Sequence, residues 1–128
     1  MANFKIISNN PLVSAKYPEL TFFNDTSVEC IFICCRDLIH KGAVLINHPL
    51  SGSVKPNVSP YKSIVISNEK PQLDFFSLQL IESALETLKK LGVRKNDNYP
   101  ENVIEDFQVI DLDLLDSAMK ALPPEFNQ

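Results

Sequence analysis

Glycine is scarce in this 128-residue chain, which has only three glycines, at positions 42, 52 and 92. Neither G-x-G-x-x-G nor the P-loop pattern can be written with glycines so far apart. The sequence therefore excludes dinucleotide and nucleotide binding by these two motifs. No other cofactor motif is present, and we predict no cofactor.

Metal-ligand spacings are also missing. The two histidines, His40 and His48, do not share a spacing that is typical of a zinc site. Asp111, Asp113 and Asp116 resemble the acidic part of a calcium loop, but the glycine and the closing glutamate of such a loop are absent. We predict no metal site, and we expect these aspartates to favour the start of a helix.

A disulfide framework is excluded as well. The three cysteines, Cys30, Cys34 and Cys35, are odd in number and fall in one predicted helix, so they are expected to be reduced thiols that pack in the interior. Residues 1–13 lack the features of a signal peptide, and no apolar run approaches the ~20 residues that span a bilayer. We therefore expect a cytoplasmic protein that does not bind membranes.

The overall charge is acidic, with 12 Lys+Arg against 16 Asp+Glu and a formal charge of -4. This balance argues against nucleic-acid binding. Acidic residues are nevertheless absent from the whole stretch 38–68. Within it, residues 48–63 read HPLSGSVKPNVSPYKS and carry only two charges, from Lys55 and Lys62. Long loops of this kind inside compact domains are often functional, so this basic loop is the predicted site.

The loop offers two kinds of chemistry. His48 could act as a general base, a proton donor or an anion contact, or its ring nitrogens could tie the loop to the sheet. Backbone amides around Gly52 could form an anion-binding nest, with Lys55 and Lys62 as surface cations, or the same residues could make a plain turn. The predicted ligand-binding residues are Asn9, Asn10, His48, Ser51, Gly52, Ser53, Lys55, Asn57, Tyr61 and Lys62.

Hydrophobic patterning predicts an α/β fold in which strands and helices alternate. Short apolar or β-branched runs predict four strands, at residues 4–8, 20–23, 43–46 and 64–66. Helices are predicted after an Asn10 cap, from a Thr26/Glu29 capping box to His40, and from an Asp74 cap to Leu91. Pro100 could open a short helical piece, and Asp111 could cap a last helix that ends at Leu122. We expect one domain over residues 1–122 and a mobile tail at 123–128.

This alternation favours a mainly parallel sheet of about four strands flanked by helices, with a C-terminal helical extension. Ligands bind such sheets beyond the carboxyl ends of the strands. We therefore predict that Asn9 and Asn10, after the first strand, lie at the same edge as residues 48–53, after the third. The sequence leaves the oligomeric state open.

Three segments resemble the GrdX family. They are NNPL at 9–12, RDLIHKG at 36–42, and HPLSGSVKPN at 48–57 followed by SPYKS at 59–63. The family consists of small proteins encoded with glycine, sarcosine and betaine reductases of amino-acid-fermenting anaerobes. The resemblance implies an accessory protein of such a reductase system, with components of the reductase as partners. The residues of the basic loop add a small anionic ligand as the other predicted partner. It implies no catalytic residue, and the alternative is a small enzyme that acts on a phosphorylated or carboxylated metabolite with His48 as acid/base.

Overall fold

The computed structural model describes residues 3–50, 58–92 and 99–126. In chain order the elements are β1 (Phe4–Ser8), α1 (Pro11–Lys16), β2 (Thr21–Phe23), α2 (Val28–His40), β3 (Ser63–Ser67), α3 (Phe75–Leu91), α4 (Glu101–Lys120) and a short 3₁₀ helix (Pro124–Phe126). The predicted α/β class and the C-terminal helix are confirmed.

The sheet is mixed and, over the residues described, has three strands in the order β2-β1-β3. β1 pairs with β2 in parallel and with β3 antiparallel, in a register that places Ser8 opposite Ser63. The structure therefore differs from the mainly parallel sheet of about four strands that we predicted. Its central strand has one neighbour of each kind, so the start of β3 meets the end of β1.

Residues 43–46, predicted as a strand, run beside β3 but make only an isolated antiparallel bridge, between Leu45 and Ile66. Side chains take the hydrogen bonds that would extend a ladder. The Val44 amide donates to Ser67 Oγ (2.8 Å), and the Val65 amide donates to Asn47 Oδ1 (2.8 Å). Because these amides are satisfied locally, the pairing stops after a short contact.

The strands bury side chains on both faces, and their alternation separates two apolar clusters. On one face, Ile7 of β1 and the isoleucines of β3 pack against α2 and α3, in a cluster that includes Ile31, Phe32, Ile39, Ile64, Ile66 and Ile81. On the other face, Ile6, Val13, Val65 and Leu115 join β1 and β3 to α1 and α4. Full burial of a side chain such as Phe32 contributes roughly 1.5–3 kcal/mol.

Two of the four predicted helix caps are present in the structure. Asn10 caps α1, with its side chain accepting from the Leu12 amide, and Asp74 caps α3, as predicted. The capping box on α2 is wrong by one residue, because Ser27 is the cap and its Oγ accepts from the Cys30 amide (3.2 Å). The end of α2 at His40 agrees with the prediction.

The last third of the chain differs most from expectation. A single 20-residue helix, α4, replaces the two predicted pieces, with Pro100 as its N-cap. Asp111 lies in the middle of this helix and is buried, so it does not cap a helix. Within the expected tail, Phe126 packs against the cluster around Leu115, and Asn3 Nδ2 donates to the Glu125 carbonyl (3.2 Å).

Gly42 follows α2 at a close approach of two backbone segments. Its φ of +106° is in the region that favours glycine, and a Cβ there would lie 1.8 Å from the Lys70 carbonyl oxygen. The Lys70 amide donates to the Gly42 carbonyl (3.0 Å). Only glycine fits this position without displacing the backbone.

Throughout the described ranges 3–50, 58–92 and 99–126, the helices are too short or too polar for one of them to cross a bilayer.

Candidate functional site

A buried carboxylate lies at the end of β1 where β3 begins. Asp111 is 6 % exposed and is carried to this point by the packing of α4 against β3. Its Oδ2 accepts from Asn10 Nδ2 (3.0 Å) and from Ser63 Oγ (2.7 Å). Burial raises the pKa of Asp111, and the opposing effects of these two hydrogen bonds and of the Lys62 charge do not cancel that rise. We call Ser8, Asn10, Ser63 and Asp111 the Asp111 cluster.

Two serine hydroxyls extend this cluster across the sheet. Ser8 and Ser63 are paired in the register of β1 and β3, and their Oγ atoms are 2.7 Å apart. Ser63 has one hydroxyl proton, which goes to Asp111, so Ser8 must donate to Ser63. Ser8 Oγ in turn accepts from the Asn10 amide (3.0 Å). The hydroxyls therefore form one directed chain that ends on the carboxylate.

The side-chain amide of Asn10 is committed to protein groups. Its Oδ1 accepts from the Leu12 amide (3.0 Å), which caps α1. Its Nδ2 donates to the Gln108 carbonyl (2.9 Å) as well as to Asp111. One asparagine thus joins the start of α1 to the middle of α4.

The side-chain amide of Asn9 is also bonded to protein groups. Its Nδ2 donates to the carbonyls of Thr26 (2.7 Å) and Pro60 (2.8 Å), and its Oδ1 accepts from the Lys62 amide (2.8 Å). Asn9 is 3 % exposed. Its amide therefore fastens the last residues of the basic loop to the end of β1 and to the residues that precede α2.

The C-terminal third supplies further anchors for the end of the loop. Tyr61 Oη accepts from Gln108 Nε2 (2.9 Å), and Tyr99 Oη donates to the Val58 carbonyl (2.9 Å). The Tyr99 ring packs edge-on against Phe107, with centroids 5.2 Å apart. Residues 58–63, which we call the loop exit, are consequently held by side chains from β1 and α4 and from the segment before α4.

His48 lies at the loop entrance, residues 47–50, and its setting is different. Residues 43–46 and β1 both run antiparallel to β3, so their carboxyl ends lie at the same edge of the sheet. This agrees with the predicted placement of His48 relative to Asn9. His48 itself is exposed, and its Nδ1 accepts from the Leu50 amide (3.0 Å). That bond lies within the loop entrance, so it does not itself tie the loop to the sheet.

Lys62 does not have the surface position that we predicted. It is half-buried, and burial lowers its pKa while the nearby Asp111 charge opposes that shift. The backbone explains the difference, since the Lys62 amide is held by Asn9 and its neighbour Ser63 by Asp111. These two hydrogen bonds fix the backbone around Lys62, and its side chain is half-buried as a result.

Five predicted site residues lie outside the described residues: Ser51, Gly52, Ser53, Lys55 and Asn57. Of the other five, the structure brings four together at one sheet edge, namely Asn9, Asn10, Tyr61 and Lys62. Within the described part of the chain, His48 shares no hydrogen-bond partner with these four residues.

The cysteines and acidic residues offer little further chemistry. Cys35 is buried in the core, where burial raises the pKa of its thiol, whereas Cys30 is exposed. Hydrogen bonds from Ser27 and Thr26 lower the pKa of the Cys30 thiol. Over the residues that the structure describes, no group of three His, Cys, Asp or Glu side chains is arranged to hold a metal ion.

Four residues of the site were missed by the sequence analysis: Ser8, Ser63, Gln108 and Asp111. A signal for Asp111 was present, because Ile104, Gln108, Asp111 and Leu115 recur at helical spacing. An aspartate in such a stripe must be buried with its helix face, and a buried carboxylate requires donors. The serines at the ends of two strands gave no comparable signal.

Comparison with known proteins yields one match. The family model of the GrdX-like proteins matches residues 5–120. Searches of the curated proteins and of the solved structures found no match. The matched range includes all of β1 except its first residue, the loop exit and all of α4, and with them the complete Asp111 cluster. On this match the chain belongs to the GrdX-like protein family.

Proposed function

We propose that this protein is a cytoplasmic accessory protein of a glycine, sarcosine or betaine reductase system, and that its basic loop binds an anionic group of a small ligand or a partner. Family membership supports the association with such systems at the level of the family. The binding site and the choice of partner are inferred from the loop.

The observation that carries this proposal is the anchoring of the loop exit. A buried polar side chain must be paired, so a loop end that is bonded to several buried asparagine and aspartate side chains is fixed in one position. Such fixing is typical of a loop whose position is required for function. Here Asn9 alone makes three such bonds, two of them to Pro60 and Lys62. These contacts hold the end of an acid-free, basic segment at the edge of the sheet, a common location for ligands in α/β proteins.

The charges decide which lysine should attract an anion. Lys62 faces Asp111, so its positive charge is partly offset and its side chain is half-buried. An anion must therefore draw most of its electrostatic attraction from the rest of the loop, where Lys55 supplies the only other charge. We assign Lys62 to positioning of the loop and Lys55 to attraction of the anion.

A thermal melt with added anions tests this assignment. The probes are inorganic phosphate, acetyl phosphate, glycine, sarcosine and betaine. A bound anion at a hundred times its dissociation constant should stabilise the fold by about 2.7 kcal/mol. For a domain of this size that is roughly 5 to 10 °C in melting temperature. Added salt should weaken the shift, because exposed charges are screened.

Two variants separate the loop from a general charge effect. Lys55→Ala should remove most of the shift, whereas Lys89→Ala, at an exposed position near the end of α3, should retain it. If none of the probes raises the melting temperature by more than about a degree at millimolar concentration, the small-ligand form of the proposal is wrong. The partner form is tested by binding of purified reductase components. It fails if the wild-type protein and Lys55→Glu bind them equally.

A further inference from the structure

The last helix, α4, is the longest of the described helices, and little of it is covered. Of its 20 residues, all of which the structure describes, only Asp111 and Leu115 are buried. Ile110 is 41 % exposed and Leu114 is 37 % exposed. Monomeric proteins rarely leave a row of large apolar side chains open to water, so this surface is a candidate for an interface.

The helix carries two apolar stripes on opposite sides. One stripe packs on the sheet and contains Leu112, Leu115 and Met119, with Leu122 just beyond the helix end. The other stripe lies about 140° away around the helix axis, at about 100° per residue, and we call it the α4 seam. Its positions alternate in steps of four and three residues, as in the contact face of a helix pair. They are Val103, Phe107, Ile110, Leu114, Ser117 and Ala121.

Side-chain sizes along the α4 seam fit a second copy that runs in the opposite direction. If two α4 helices pack antiparallel about a twofold axis level with residue 112, each seam position faces the one at the same distance beyond residue 112 on the other copy. Large side chains then face small ones toward the ends of the seam, and aliphatic side chains of similar size face each other at its centre, which fills space well. A parallel pair would instead set Phe107 against Phe107 and Ser117 against Ser117. The facing pairs in the antiparallel arrangement are Val103 with Ala121, Phe107 with Ser117, and Ile110 with Leu114.

The charges along the seam favour the same arrangement. Asp106, Asp113 and Lys120 are exposed and lie in a row along one side of the seam, seven residues apart. In the antiparallel pair, Lys120 of each copy is within about 3 Å of Asp106 of the other along the helix axis, at about 1.5 Å per residue. Two contacts between opposite charges therefore form, against one contact between like charges, which joins the two Asp113 side chains near the twofold axis.

Neighbouring registers are less favourable. A shift of one heptad in one direction sets Asp106 opposite Asp113 twice and carries Lys120 past the end of the other helix. A shift in the other direction leaves Val103 and Phe107 without a facing residue on the other helix. The register centred on residue 112 therefore combines the full length of the seam with the contacts of the lysine, and electrostatic complementarity of this kind fixes register.

We propose that two copies of this protein associate through the α4 seam as an antiparallel helix pair, with Ile110 and Leu114 at its centre and contacts between Asp106 and Lys120 at both ends. The inference does not depend on the basic loop. The Asp111 carboxylate is bonded to Asn10 and Ser63, so the Asp111 cluster faces the sheet and not the second copy. A helix pair of this length makes a small interface, so the dissociation constant should be in the micromolar range.

Sedimentation velocity of the full chain, over concentrations from about 5 to about 500 µM, measures the association. The wild-type protein should change from monomer to dimer over this range. Leu114→Ser should weaken the dimer at least about a hundredfold, because each dimer loses two leucines from its centre. Val109→Ser, at an exposed apolar residue of α4 outside the seam, should leave association unchanged. Circular dichroism verifies the fold, and Ile110→Ser takes the place of Leu114→Ser if that variant does not fold.

Charge variants test the register and the direction of the pair. Lys120→Glu should weaken the dimer about tenfold at low salt, and Asp106→Lys in the same chain should restore it, because the two contacts then form with reversed signs. Lys89→Glu makes the same change in net charge at an exposed position of α3 and should have no effect. Asp113→Asn removes the one contact between like charges and should strengthen the dimer about twofold.

Three results would overturn the proposal. The first is a wild-type protein that stays monomeric over the whole concentration range, and the second is an equal effect of Leu114→Ser and Val109→Ser on association. The third is a double charge variant that associates no better than Lys120→Glu alone, which would show that Asp106 and Lys120 do not meet across the interface.

Discussion

The two ends of the basic loop are built differently. At the entrance, His48 is exposed and makes one hydrogen bond, to the amide of Leu50 two residues away. At the exit, Pro60, Lys62 and Ser63 are each held by a buried side chain from a distant part of the sequence. The more reactive residue type is at the entrance, whereas the buried polar contacts are at the exit. A search for reactive residue types alone would therefore select His48 at the entrance, although the buried contacts that hold the loop are at the exit.

The anchors at the exit come from opposite ends of the chain. Asn9 follows the first strand, and Asp111 lies in the last helix, more than a hundred positions later. Formation of the loop exit therefore depends on the docking of α4 against the sheet. This coupling gives the last third of the protein a defined role in placing the loop.

The largest expected effect is at Asp111. Asp111→Ala leaves the Ser63 hydroxyl and one amide hydrogen of Asn10 without their shared acceptor, and it removes a negative charge near Lys62. Each buried donor left unpaired costs about 1–3 kcal/mol, so we expect a loss of about 3 kcal/mol, on the order of 10 °C in melting temperature for a domain of this size. Urea unfolding, with circular dichroism as the readout, measures the loss.

Asp113→Ala is the matched control, because Asp113 is exposed on the same helix. It should change the free energy of unfolding by no more than about 0.5 kcal/mol. Equal effects of the two substitutions would show that the carboxylate at 111 has no special role and that the loop exit does not depend on it.

The second effect is at Asn9. Asn9→Ala leaves the carbonyls of Thr26 and Pro60 and the amide of Lys62 without their partner. Each buried group left unpaired costs on the order of 1 kcal/mol, and partial access of water reduces the sum, so we expect a loss of about 2 kcal/mol. Hydrogen exchange should also accelerate at the Lys62 amide. Asn102→Ala, at an exposed position on α4, is the control, and an unchanged Lys62 exchange rate in Asn9→Ala would contradict the anchoring.

Much of the local structure could be predicted because short-range rules determine it. Asn10 before Pro11 and Asp74 before Phe75 are caps that the sequence displays directly, and both are present. The sheet could not be predicted in the same way. The direction of β3 depends on the path of the chain through residues 48–62. Alternation of apolar and polar residues does not reveal that direction, because it is the same in a strand with parallel neighbours and in one with antiparallel neighbours.

The candidate site was predicted in part for a similar reason. Asn9 and Asn10 were placed correctly at the sheet edge because they follow a strand directly. Asp111 was assigned to a helix start because an aspartate before apolar residues resembles a cap. Only the long-range contact with Ser63 distinguishes a buried aspartate inside a helix from a capping one.

Two aspartates of α4, Asp111 and Asp116, should make contributions to stability that change with pH in opposite directions. Burial raises the pKa of Asp111, so the folded protein holds this proton at a pH where the unfolded chain has lost it. The contribution of Asp111 to stability should therefore fall as the pH rises from about 4 through its raised pKa. Stability relative to Asp111→Asn, from urea unfolding between pH 4 and 7, measures this. A relative gain over that range would contradict the direction.

Asp116 should behave in the opposite way. Burial alone would raise its pKa, but hydrogen bonds from Lys16 (2.8 Å) and Tyr17 (2.5 Å) and the nearby positive charges lower it overall. Its stabilising contribution is present above the ordinary carboxyl pKa of about 4 and should be lost as the pH falls below that value. Asp116→Asn should accordingly lose its difference from wild type in acid, while Asp111→Asn differs mainly at higher pH.

The smallest expected change in stability follows substitution of His48, and it tests the comparison at the loop entrance. His48→Ala removes one exposed hydrogen bond within a turn, so the free energy of unfolding should change by no more than about 0.5 kcal/mol. Urea unfolding of wild type and His48→Ala measures the difference. If His48→Ala destabilises the protein as much as Asn9→Ala, the entrance is anchored as firmly as the exit, and the contrast between the two ends of the loop is wrong.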